Sequence, residues 1–274
     1  MKSPVRVKFD LIENARDSLA HAVDHLTAKP ANRPGDLKRA ILDVAHVVEL
    51  LLKERLRRVH PAFVWDLVDQ YPSPAARTVG VERAIARLST LAGVTLSESS
   101  KKTLAAARTF RNNIEHYEFD LEPKEVRAVL GRLLSFVFDF AKQHLDLDLE
   151  AEFRADARWR ALVDMAEFWQ AHGEQIEEHL AKSGVPHRDC PACGADTFDL
   201  SQSSCALCDH AAEVVVCDRC HEPVWESDTE TFSYDGDPAG HHRGSDSTTI
   251  CRSCLDFESA QEAAADAMRE EADL

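Results

Sequence analysis

No apolar stretch in this 274-residue chain approaches the roughly 18 residues that a membrane span needs. The most apolar segments, Val47–Leu52 and Leu133–Phe138, are far shorter. Glycine (10) and proline (11) are too scarce for a fibrous or linker-dominated chain. With 44% hydrophobic and 29% charged residues, the composition is that of a globular protein and excludes wholesale disorder. Nothing resembles a glycine-rich phosphate loop, a serine or cysteine nucleophile context, or a carboxylate pair that asks for a metal cluster. The opening MKSPVRVKFDLIEN carries charge with no apolar core behind it, so a secretory signal is not expected and a soluble, cytoplasmic protein is.

Basic residues are scarce in the second half. Residues 1–150 hold 23 Lys+Arg against 21 Asp+Glu, whereas residues 151–274 hold 9 against 27. The two halves therefore face different partners or do different jobs. Cysteine is absent before position 190. All eight then fall in four CxxC pairs: Cys190/Cys193, Cys205/Cys208, Cys217/Cys220 and Cys251/Cys254. A disulfide framework rarely repeats that spacing, and a redox CxxC needs a thioredoxin-like βαβ context that the pattern lacks.

Each CxxC turn aims two thiolates at one ion, and two turns complete a tetrahedral site of four cysteines. Four pairs imply two zinc ions, closed by four sulfurs each and hence structural. Pairing in sequence order closes loops of 11 and 30 residues, and the Cys190-Pro-Ala-Cys-Gly start resembles a zinc-ribbon knuckle. A crossed order is the alternative. Sequential closure costs less chain entropy and is expected. His210, His221, His241 and His242 are read as solvated rather than ligating, with Tyr234–Ser245 as an exposed loop. Residues 183–256 hold 4 basic and 14 acidic side chains, a poor match for a phosphate backbone, so this module is expected to select a protein partner or target.

Residues 1–182 read as helices. The expected segments are Phe9–Leu26, Asp36–His60, a short Ala62–Val68, Val79–Leu91, Ser97–Tyr117, Pro123–Leu145 and Ala151–Lys182. Pro61 stops the second, and Ser97 or Ser99 caps the fifth. The only convincing strand is Glu213–Val216. The fold class is thus mainly α: a bundle over 1–150, a connecting helix over 151–182, a double zinc-ribbon module over 183–256 and an acidic tail over 257–274. Trp159, Leu162, Met165, Phe168 and Trp169 are placed on one side of the connecting helix as core contacts. The basic run Lys53, Arg55, Arg57 and Arg58 reads as the solvated end of a helix rather than an RNA path.

On Ser97–Tyr117, the positions Ala107, Phe110, Ile114, Tyr117 and Leu121 fall within roughly 80° of arc and are the expected core face. Arg108, Arg111, Asn112, Glu115 and His116 lie on the other side. Asn112 and His116, four apart, can touch, so Asn112 is a candidate to orient the imidazole. An arginine that clamps phosphate and a histidine that moves a proton suit RNA cleavage without a metal. The plain alternative is a solvated face with an Arg111–Glu115 pair.

Arg111, a polar Asn112, three more residues and then His116, late in a helical bundle, resembles the motif of the HEPN superfamily. The stretch 37–56, ending in Glu49-Leu-Leu-Leu-Lys-Glu-Arg-Leu56, is similar to that family's second helix, and His60-Pro-Ala-Phe-Val-Trp65 fits the same group. The resemblance covers about residues 5–145. It implies an all-helical domain that dimerises, sets two Arg–His motifs at a shared cleft and cleaves RNA without metal, as in toxins and stress-response nucleases. Arg111 and His116 then carry over as catalytic residues, with Asn112 beside them. Glu118 stands where some members carry a modifiable tyrosine. Other members are inactive adaptors, and recruitment of a protein through the zinc ribbons is the alternative function.

Overall fold

A computed structural model describes residues 8–28, 33–118, 120, 122–155, 157–234, 246–257 and 259–261. Leu121, His241, His242, the loop 235–245 and the tail beyond 261 lie outside the described residues. The chain divides into two compact units, residues 1–179 and 180–274.

The first unit is built from α1 (Leu11–Thr27), α2 (Pro34–Val59), α3 (Val81–Leu91), α4 (Glu98–His116), α5 (Pro123–Leu145), α6 (Ala151–Arg154), α7 (Ala157–Val163) and most of α8 (Ala166–Lys182). Local signals set the helix ends. Asp10 and Glu13 form a capping box on α1, Pro34 and Pro123 open α2 and α5, and Ser97 Oγ accepts the Ser100 N–H at the start of α4. Pro61 ends α2 and opens a 3₁₀ turn over Pro61–Val64. α2 is central. It buries apolar side chains from Leu37 to Leu56 on several faces and packs against α1, α3, α4 and α5.

The expected single helix over 151–182 is broken into α6, α7 and α8. In one straight helix, Phe153 and Trp159 would point roughly 120° apart. The breaks bring Phe153, Trp159, Phe168 and His172 together around Phe138 of α5, with ring centroids 5.7–6.4 Å from it. Met165 and Trp169, expected in the same core row, are only half-buried. At Gly131 of α5 a Cβ would sit 2.5 Å from the Glu167 carbonyl oxygen, so the bare backbone there is what lets α8 approach. Beside this contact His172, 4% exposed, bridges Ser135 Oγ at 3.2 Å and the buried Glu150 carboxylate.

The basic run on α2 is solvated at its end, where Arg57 and Arg58 are exposed, but not at Lys53. Lys53 is buried and donates to Glu49 and to Thr78 Oγ1 (2.8 Å), while Arg57 and Arg58 bind the buried Glu54 carboxylate. Lys53 is held inside the fold, where its buried head must find acceptors, while Arg57 and Arg58 stay at the surface.

The second unit holds seven short strands among its described residues, rather than the one expected. β1 (His187–Asp189), β2 (Asp196–Asp199) and β3 (Ser204–Cys205) form an antiparallel sheet in that order; β4 (Val214–Val216) pairs with β5 (Pro223–Trp225), and β6 (Thr229–Tyr234) with β7 (Asp246–Cys251). Residues 252–257 are helical. Trp225 of β5 meets Phe198 of β2 edge-on at 4.5 Å, and the Arg188 guanidinium lies 4.8 Å from the Trp225 ring while donating to the Pro223 carbonyl. These contacts tie the two strand regions into one body.

Candidate functional site

The four CxxC pairs converge in sequence order. The sulfurs of Cys190, Cys193, Cys205 and Cys208 all lie within 4.8 Å of one another, and so do those of Cys217, Cys220, Cys251 and Cys254. Three pairs sit on knuckle turns in which the residue after the second cysteine has positive φ: Gly194 (73°), Asp209 (60°) and His221 (60°). That left-handed step swings the chain back so that backbone N–H groups face sulfur; the Ala192 and Cys208 N–H groups lie 3.4 Å from Cys190 and Cys205 Sγ. The fourth pair instead spans the end of β7 and the helical turn 252–257.

The donor sets fit a metal ion. Four sulfurs at about 2.3 Å from a tetrahedral centre lie roughly 3.8 Å apart. The Cys190–Cys208, Cys193–Cys205 and Cys220–Cys251 separations are 3.7, 3.8 and 4.0 Å. Each cluster also holds one acidic thiol. The bond from Cys208 draws Cys205 down to about 4, and the N–H groups of Cys220 and Cys251 draw Cys217 down to about 6. Burial pushes Cys193 up to about 11, and the bond to Cys251 pushes Cys254 up to about 12. Crowded thiols cannot all ionise unless a cation compensates them, which is what a divalent ion supplies. No histidine joins either cluster among the described residues.

On α4 the buried residues are Thr103, Leu104, Ala107 and Ile114. Arg111 falls within that arc, not opposite it. Its Nη1 lies 3.2 Å from Glu49 Oε2 on α2 and its Nε 3.3 Å from Glu115 Oε2. Tyr117, expected in the core, is 82% exposed, because the backbone turns extended there and leaves the helix. His116 closes α4 in the open, with Nε2 3.9 Å from Glu115 Oε2. Asn112 is exposed, and no hydrogen bond joins it to His116 among the described residues. Next to Arg111, a small surface depression is lined by Ala45, Val48, Val81, Leu104 and Ala107, with Arg108 and Arg111. Glu82 holds Arg108. Glu49 was not singled out from sequence, although the Glu49/Lys53 spacing is that of a helical ion pair.

No helix among the described residues is long and apolar enough to cross a membrane. Comparison with models of known protein families gives no match for this chain. Nor does any curated protein or any solved structure match it, so none of these supports the HEPN resemblance specifically.

Proposed function

We propose that both clusters hold zinc and that the helical unit is a HEPN-like endoribonuclease which needs no metal for its chemistry. The thiolate-only, near-tetrahedral donor sets support zinc, bound as closed structural sites. One observation carries the nuclease reading. Glu115 Oε2 lies 3.3 Å from Arg111 Nε and 3.9 Å from His116 Nε2, so both side chains approach a single oxygen at a solvent-open position. A phosphodiester oxygen in that place would meet an arginine fork and an imidazole. Arg111 would hold the phosphate, and His116 would pass a proton to or from the 2′-hydroxyl or the leaving 5′-oxygen, giving a 2′,3′-cyclic phosphate. A homodimer through the helical unit would bring two such turns together, and the acidic second unit would select a protein partner or target.

The test is cleavage of single-stranded RNA by the full chain in EDTA, on a time scale shorter than zinc loss. His116→Ala should slow cleavage by about 10²–10⁴-fold with the fold retained. Arg111→Lys should also impair it, since lysine keeps charge but not the planar fork. Equal cleavage by wild type and His116→Ala, or none by either, removes the nuclease reading. A non-catalytic adaptor is the second reading, favoured by the Arg111–Glu49 bond, which gives Arg111 a structural task of its own.

A further inference from the structure

The two clusters are built differently. Around the first, the protein has a core of its own: Ala195, Thr197, Phe198 and Leu207 are buried, and the Thr197 hydroxyl lies 3.2 Å from Cys205 Sγ. Around the second, none is seen among the described residues: of those from 209 to 261 whose side chains are described, only Cys217 and Cys251 are buried, and both are ligands. Cys220 is exposed, whereas no cysteine of the first cluster is. The second cluster also closes the longer loop and has one knuckle turn in place of two.

A site with little buried around it leans more heavily on its ion, and a ligand open to solvent can be reached by a reagent. We infer that the second cluster is an exchangeable, oxidant-sensitive metal site, and that the first is a permanent one. The inference rests on the zinc reading. The chemistry is a thiolate–peroxide reaction. Cys220 thiolate attacks hydrogen peroxide; a sulfur–oxygen bond forms, the oxygen–oxygen bond breaks and hydroxide leaves. Cys251 thiolate, with its sulfur 4.0 Å away, attacks the resulting sulfenic sulfur and expels a second hydroxide. Two thiolates have given two electrons to one peroxide and formed one disulfide. Cys217 and Cys254 alone no longer hold a divalent ion, and the β6–β7 region loses its anchor while the first cluster keeps its own.

The experiment starts from the full chain as purified. Elemental analysis should give two zinc ions per chain. Hydrogen peroxide is then added in steps, with released zinc followed by a colorimetric chelator and disulfides mapped by mass spectrometry. One equivalent should leave at least tenfold faster than the other, with Cys220 in the first disulfide formed; dithiothreitol plus zinc should restore it. Two ions leaving at one rate, or the Cys190–Cys208 set oxidising first, overturns the inference and leaves the zinc reading intact. A chain purified without chelator that carries no metal overturns both.

Discussion

Glu49 and Arg111 join α2 to α4 at 3.2 Å, and Glu49 also accepts from Lys53, so one carboxylate serves two cations on two helices. Arg111 is therefore held on the edge of the bundle before any ligand arrives. Glu115, by contrast, lies at the exposed end of the same helix.

The two carboxylates should differ in cost. Glu49→Gln leaves Lys53, 7% exposed, without its opposite charge, with only neutral acceptors in its place. Breaking a fully buried pair costs about 3–5 kcal/mol, and half-buried Glu49 should cost on the order of 2. Glu115→Ala removes a surface pair and should cost below about 1 kcal/mol. Urea unfolding followed at 222 nm ranks them, and equal costs would refute the assignment of Glu49 as the tie.

Acid stability should depend on Glu150. Burial raises its pKa, but the bond from His172 and the nearby Arg154 outweigh this and hold it below the usual 4.5. A lowered carboxyl contributes stability that is present above the unfolded value and lost as pH falls through the folded one. Melting temperatures of wild type and Glu150→Gln should differ most near pH 7 and converge below pH 4.5. Asp139 works in the other direction. Burial raises its pKa above 3.8 despite the Gln143 bond, so the ionised form opposes folding at neutral pH. Asp139→Asn should raise the melting temperature at pH 7, with the gain shrinking towards pH 4.

Gly131→Ala should be costly. Its Cβ would meet the Glu167 backbone at 2.5 Å, and backbone cannot swing aside as a side chain can. Overpacking of this kind costs about 1–3 kcal/mol. Thermal unfolding of the full chain checks it; an unchanged midpoint would show that α5 and α8 are not held at this spacing.

Metal removal should act on one unit only. After prolonged chelation at neutral pH, limited proteolysis should cut within 187–261 and spare 8–179, with the 222 nm signal largely kept. Cys190→Ser should open the first cluster in the same way, because structural zinc contributes folding energy directly. Loss of the helical signal on chelation would contradict this.

Much of this was legible in the chain. Ser97 and Pro123 announce helix starts, while Pro34, which opens α2, reads in sequence as a stop before Asp36. The cysteine spacing announces two four-sulfur sites, and chain entropy favours the sequential pairing that is found. The α4 face was mis-phased for two physical reasons. Tyr117 counts as apolar but stands where the helix has ended, and Arg111 counts as polar although it falls within the buried arc and pairs with Glu49 of α2. The strands are two to six residues long, mostly too short for a period of two to register. Trp225 is a lone aromatic between two charged segments, and only its meeting with Phe198 reveals its role.

The central place of α2 bears on how the protein is made. Its Val47–Leu52 stretch needs cover on several sides. On the ribosome, α1 precedes it and offers one. α5 supplies another only when Leu145 has been added, roughly 4–17 s after Val59 at about 5–20 residues per second. During that interval the nascent chain carries a half-covered greasy helix, so slower translation or a shortage of chaperones should lower the yield of soluble protein before any step of zinc loading begins.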